Sequence, residues 1–151
     1  MGVSQGPNRA PRVLVMSENN GAAALRLAIR YLFTHAGCVV DEATDASEAT
    51  AKIQAAASAN PPRHYDIAIL DNGQPADATS IVADVIHDLD TVSAPTGVLV
   101  LYEDSAPAPD SQTLQTGRPY DIMRKTALDP DQLYQTAAGL ALDATGIRFP
   151  S

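Results

Sequence analysis

The chain has 151 residues, enough for one domain with a sizeable core. Its formal net charge of −8 argues against broad binding to DNA or to an anionic membrane, since both need a basic face. It is 45% hydrophobic and 19% charged, as soluble globular proteins are, and no apolar run is long enough to span a bilayer. The single Cys38 rules out an internal disulfide. Lying in an apolar stretch, it reads as a buried small hydrophobe, and a reducing, cytoplasmic setting is expected.

Residues 1–11 are polar and rich in Gly, Pro and Asn, which predicts a flexible lead-in. Arg12 to Met16 is a short apolar run and predicts a strand ending at Ser17-Glu18-Asn19. Ala22 to His35 predicts a helix, with Leu25, Ala28, Ile29 and Leu32 at helical spacing and Gly37 as its stop. Cys38 to Val40 predicts a second strand. Asp45 is positioned to cap a helix over 46–57, with Glu48 in capping-box position. Asn60-Pro61-Pro62 marks a loop.

Tyr65-Asp66-Ile67-Ala68-Ile69-Leu70-Asp71 is the central stretch. Four apolar residues followed by an acid describe a strand buried on both faces, with a carboxylate at the carboxyl edge of a sheet. In open parallel sheets that edge is where ligands sit. The alternative is that Asp71 only starts a turn. Thr79 to Leu89 predicts a helix, with Ile81, Val82, Val85, Ile86 and Leu89 as its apolar stripe. Gly97 to Tyr102 predicts the fourth strand. Residues 103–117 carry Pro107 and Pro109 where alternation calls for a helix, so that helix is expected to be short or missing. Pro119 to Arg124 predicts a fifth strand, and Asp129-Pro130 opens a last helix through Leu142. The expected fold is α/β, a doubly wound five-stranded parallel sheet over residues 12–143, with 144–151 as a tail or linker.

Three strand ends carry polar residues on one edge: Ser17-Glu18, Asp71 and Lys125. Facing carboxylates with a backbone carbonyl suit Mg²⁺, and a lysine across the cleft balances added negative charge. Here the chain resembles the receiver domain of two-component response regulators. Val13 to Asn19 matches that family's strand ending in an acidic pair. Tyr65 to Asp71 with Pro75 matches its phosphoacceptor strand and loop, and Arg124-Lys125-Thr126 its Lys-Pro. The resemblance implies a flavodoxin-like receiver fold with Asp71 as phosphoacceptor and Lys125 at the lysine position. It also implies Glu18, Asp71 and the Gly73 carbonyl as metal ligands.

The departures from that pattern concern chemistry. Ser17 stands where the first acid belongs, Tyr102 replaces a small hydroxyl residue, Glu103 follows where Ala is usual, and Thr126 replaces the proline. Losing one carboxylate weakens any Mg²⁺ site, and Glu103 repels a phosphoryl group. The chain therefore resembles a degenerate receiver, or pseudo-receiver, of the kind found in bacterial hybrid histidine kinases. Alternation puts Arg118, Tyr120, Ile122 and Arg124 on one strand face, toward the failed helix. Arginine forks and a tyrosine plane suit a guanine nucleotide, and some pseudo-receivers of hybrid kinases bind cyclic di-GMP. The competing reading is that the Pro-rich loop covers Tyr120 and Ile122 while both arginines reach solvent.

The expected function is a pseudo-receiver module that docks on and gates neighbouring domains under cyclic di-GMP control. The partners would be a histidine kinase core or a second receiver domain of the same chain. The alternative is a working phosphoreceiver that takes a phosphoryl group onto Asp71. No nucleophile elbow, Gly-rich phosphate loop or zinc spacing is present, so enzymatic activity of the domain itself is not expected.

Overall fold

Five short apolar runs separated by helical repeats leave a parallel sheet covered on both sides as the natural way to bury them. The computed structural model describes residues 10–17, 23–72, 75–102, 118–124 and 129–150. Within them the order is β1 (Arg12–Met16), α1 (Ala23–His35), β2 (Val39–Ala43), α2 (Ala46–Ser58), β3 (Ile67–Asn72), α3 (Pro75–Thr91), β4 (Gly97–Tyr102), β5 (Tyr120–Arg124) and α4 (Pro130–Thr145). The five strands are all parallel and lie in the order β2-β1-β3-β4-β5. The doubly wound sheet expected from the sequence is the one observed. The expectation of a short or missing helix between the fourth and fifth strands falls on residues 103–117, outside the described residues.

Strand alternation sorts the core into two layers. Leu14, Met16, Ala68, Leu70, Val98 and Val100 face α2 and α3, where Ile53, Val85, Ile86 and Leu89 cover them. Val13, Val15, Ile67, Ile69, Leu99 and Leu101 face α1 and α4, against Ile29, Phe33, Leu133 and Ala137. The three inner strands are apolar on both faces because both are covered.

Element ends follow local chemistry. Asp45 Oδ1 accepts from the Glu48 backbone N–H at 2.7 Å, and Glu48 Oε1 accepts from the Thr44 backbone N–H at 2.6 Å. The anticipated capping box is thus formed, with its return bond one residue upstream of the cap. Gly37, at φ 99°, closes α1 in the left-handed region that a glycine adopts without strain.

Four boundaries differ from those expected. β2 runs on through Asp41 and Glu42 to Ala43, because an edge strand can hold charged residues that a central strand cannot. β3 includes Asp71 and Asn72, which pair with Leu101 and Tyr102, so Asp71 belongs to the strand and not to a turn. α3 begins at Pro75, a residue pre-set for the first helical turn. α4 continues to Thr145 and is capped by Gly146 at φ 78°. Beyond it Ile147 is buried, and Phe149 packs edge-on against Phe33 and Tyr134, so residues 144–150 close the α1–α4 layer instead of trailing away as a linker. Of the expected lead-in, only Ala10 and Pro11 are described. Pro11 is buried, and its carbonyl accepts from the Val39 N–H at 2.8 Å.

At the amino edge of the sheet, Asp66 is fully buried. Its Oδ2 accepts from the Arg12 backbone N–H and its Oδ1 from the Thr145 hydroxyl, each at 2.7 Å. Its own N–H donates to the Arg12 carbonyl and its carbonyl accepts from the Gly97 N–H. One residue therefore joins β1, β3, β4 and the end of α4. Asp66→Ala would remove the side-chain acceptor of the half-buried Arg12 N–H and leave the Thr145 hydroxyl with the Ala141 carbonyl alone. It is expected to cost about 3 kcal/mol in urea unfolding, with an unchanged m-value.

Candidate functional site

The chain leaves β1 toward β2 on one side and returns to β3 on the other, so the crevice between the carboxyl ends of β1 and β3 is the topological switch point of the sheet. The register pairs Met16 with Leu70, which places Ser17 opposite Asp71 at that crevice. Both are buried, with 1% and 5% of their surface exposed, so any chemistry there takes place out of bulk water. Ser17 Oγ donates to Asp71 Oδ2 at 3.0 Å. The Ser17 backbone is itself held, its N–H donating to the Ala43 carbonyl at 3.0 Å.

A second group at this edge was not evident from the sequence. Arg26 of α1 donates from Nε to Glu42 Oε1 at 3.1 Å, and its Nη1 reaches the Ser17 carbonyl at 3.4 Å. Arg30, one turn on, bonds Glu42 Oε2 at 3.0 Å. The Arg26–Arg30 spacing of four residues was visible, but their shared acid on β2 was not, because β2 was read as ending at Val40.

Of the residues expected to form a phosphoryl and metal site, Asp71 is described, and Ser17, which stands where the first acid belongs, is set against it. Glu18, Gly73 and Lys125 lie outside the described residues. So do Glu103 and Thr126, and for Tyr102 the backbone alone is described. Toward an Mg²⁺ site the described residues supply Asp71 and, at position 17, no second acid. At Ser17 the cation would meet a neutral hydroxyl whose proton points at the one carboxylate, and no group of three His, Cys, Asp or Glu among them could share a cation.

The four residues expected to form a nucleotide face separate into two roles. Tyr120 and Ile122 are half-buried and pack on the α2–α3 core layer, whereas Met123 packs on the opposite one, as alternation requires. Arg124 is exposed at the carboxyl end of the same face. Arg118 is not an open fork. Its side chain is 9% exposed, and its Nη1 donates to the Ala94 and Thr96 carbonyls at 3.1 and 2.5 Å. Its Nη2 bonds Asp90 at the end of α3. The guanidinium ties β5 to the α3–β4 loop, against the expectation of a fork presented to a ligand and against that of an arginine reaching solvent. Sequence spacing gave the face but not the carbonyls that converge on Arg118.

No protein-family model and no curated protein matches the sequence. Solved structures do match its fold. The chemotaxis response regulator CheY4 of Vibrio cholerae is 21% identical, with a TM-score of 0.61, over 87% of this chain and 98% of that one. A CheY-like response regulator receiver domain protein from Methanospirillum hungatei JF-1 is 16% identical, with a TM-score of 0.63, over 87% and 95%. The fold is that of a response-regulator receiver domain. This chain also matches part of the lysine decarboxylase LdcF of Francisella novicida, over 91% of this chain and 18% of that one, at 14% identity and a TM-score of 0.60. A receiver fold therefore does not by itself specify the chemistry at its carboxyl edge, and the side chains there must decide it.

Ser17→Asp is expected to change the metal behaviour of this receiver fold. A second buried carboxylate beside Asp71 repels it, so the variant should melt below the wild type without metal. Mg²⁺ at tenfold above its Kd should restore about 1.4 kcal/mol, or roughly 3–6 °C in Tm, while leaving the wild type within experimental error. Thermal melts with and without Mg²⁺ test this. An equal rise in both proteins would show that Ser17 does not limit the site.

Proposed function

We propose that this chain is a pseudo-receiver signalling module that docks on neighbouring domains and gates them, without relaying a phosphoryl group as its main task. The observation that carries the reading is the buried hydrogen bond from Ser17 to Asp71 at the switch point of the sheet. A phosphoacceptor carboxylate needs positive charge around the oxygens it gains. Here the residue set against it at the end of β1 is a serine, which brings no charge and donates one hydrogen bond, to Asp71 Oδ2. The partners that fit are a histidine kinase core or a second receiver domain of the same chain, in a two-component phosphorelay.

The β5 face supplies the ligand half of the proposal. Tyr120 offers a planar ring, Ile122 an apolar contact and Arg124 a cation beyond them, a set that suits the base and phosphate of cyclic di-GMP. Arg118 serves this face as a frame, holding β5 against the α3–β4 loop. A ligand there gates a neighbour only if it binds the released and docked states with different affinity. Occupying a face that a neighbour would otherwise cover meets that condition.

Two measurements test the two halves separately. Incubation with acetyl phosphate and Mg²⁺, followed by intact mass, should show no phosphorylated species, and Asp71→Asn should leave output nearly intact. A stoichiometric phosphoryl adduct lost in Asp71→Asn would favour a working phosphoreceiver instead.

Calorimetry should detect cyclic di-GMP binding that Tyr120→Ala weakens about tenfold, the loss of one stacking contact of about 1–3 kcal/mol. Arg118→Ala should instead lower folding stability by about 2 kcal/mol, because the carbonyls of Ala94 and Thr96 lose a charged donor. Absence of heat and of amide shifts on residues 118–124 at high micromolar ligand would remove the nucleotide from the proposal and leave a docking surface.

A further inference from the structure

At the opposite end of the sheet from Asp71, the amino edge carries a trough that no part of the proposed signalling chemistry uses. A cleft of about 930 Å³ is lined by Pro61, Pro62 and Pro95 together with Arg12, Asp41 and Arg63. A hollow of about 280 Å³ adjoins it and shares those three charged residues, adding Lys52, Ala55 and Ala56 of α2 and Ala59 just beyond its end. The linings of the two hold three of the ten Lys and Arg residues of the chain but only one of its eighteen Asp and Glu residues. On a chain of charge −8 this is a patch of opposite sign.

The cations divide into one that is fixed and two that are available. Arg12 lies over the Tyr65 ring at 4.8 Å, bonds the Arg63 carbonyl and faces Asp41 at 3.7 Å. Tyr65 in turn donates to Asp41 Oδ2 at 2.6 Å, and burial together with this bond pushes its phenol above the usual range, so it keeps its proton as a donor. Asp41 is thus committed to Tyr65 and Arg12. Among the described residues, neither Lys52 nor Arg63 has a carboxylate within ion-pair distance. Two solvent-reaching cations flank a preorganised third, in a lining that also holds three prolines.

We propose that this amino-edge trough is a second binding site, and that its occupant is an extended acidic segment of polypeptide. Charge complementarity sets the sign. The form follows from the shape: an open trough exposes its cations to water, where a single ion pair contributes little, so a chain that places several carboxylates along it is held where a lone anion is not. The lining prolines and the alanines of α2 give the backbone of such a segment an apolar bed. The site lies a strand length from Asp71, about 15–20 Å for β3, so it can be occupied whatever the state of the carboxyl edge.

The probe is a fluorescein-labelled peptide of five Glu-Gly repeats, titrated into the full chain at low salt. Its anisotropy should rise, the affinity should fall steeply between 50 and 300 mM salt, and backbone amide shifts should appear at residues 52, 59, 63 and 64 but not at 17 or 71. Lys52→Glu and Arg63→Glu should each weaken binding at least tenfold with unchanged circular dichroism. The neutral variants Lys52→Gln and Arg63→Gln serve if a reversal disturbs the fold. A Lys-Gly peptide that binds as well as the acidic one would overturn the proposal, as would amide shifts elsewhere on the molecule. Displacement of the acidic peptide by inorganic pyrophosphate at concentrations below that peptide's own Kd would also overturn it, by assigning the trough to a phosphate-bearing small molecule.

Discussion

Asp66 is the residue on which the arrangement of the sheet depends. Taking a carboxylate out of water costs several kcal/mol, and an element that does so must return it in hydrogen bonds. Asp66 meets that cost with donors from two different elements, the Arg12 N–H of β1 and the Thr145 hydroxyl of α4. Its backbone bonds Arg12 and Gly97 on either side. These bonds set the strands at a common starting line. Once β1 and β3 start level, their parallel ladder runs Val13 against Ile67 to Met16 against Leu70. Ser17 then meets Asp71 at the far end with no further adjustment. The carboxyl-edge geometry is therefore fixed in part by a bond at the amino edge.

What sits at that far end is decided by single side chains. The sheet order creates a crevice in any chain with this connectivity, and it positions whichever residues follow β1 and end β3. With an acid at position 17 the pair would be a repulsive couple that calls for a cation. With serine, the same position donates a hydrogen bond to Asp71 Oδ2 and adds no second charge. The fold is the same with either residue, and the charge set beside Asp71 is not. Arg26, which reaches the Ser17 carbonyl, is itself paired with Glu42 at 3.1 Å.

The sequence announced the sheet because its strands are buried on both faces, and burial on both faces leaves unbroken apolar runs such as Ile67 to Leu70. It was less legible where burial is one-sided. β2 carries Asp41 and Glu42, whose polarity hid three residues of an edge strand. The end of the chain was read as a tail because Ile147 and Phe149 stand alone among polar residues. They pack against Phe33 and Tyr134, partners more than ten residues away that no local pattern shows. The Ser17–Asp71 couple could be placed from strand order, yet its hydrogen bond could not, since a serine hydroxyl can turn toward several acceptors. Arg118 shows the same limit more sharply. Its spacing from Tyr120 was correct, but its partners Ala94 and Thr96 are backbone carbonyls, which any sequence would offer.

The role of Arg118 bears on how a ligand at β5 could be felt elsewhere. β5 is an edge strand, and its Tyr120 and Ile122 are only half-buried against the α2–α3 layer. On packing alone it would be the least anchored strand. Arg118 compensates by binding the Ala94 and Thr96 carbonyls of the loop between α3 and β4 and Asp90 at the end of α3, which ties β5 to both. A ligand or domain pressing on Tyr120 therefore acts on α3 as well as on β5. α3 in turn begins at Pro75, just beyond Asp71 and Asn72 at the end of β3. α3 thus runs from just beyond β3 to a last turn that carries Asp90, the residue that Arg118 holds.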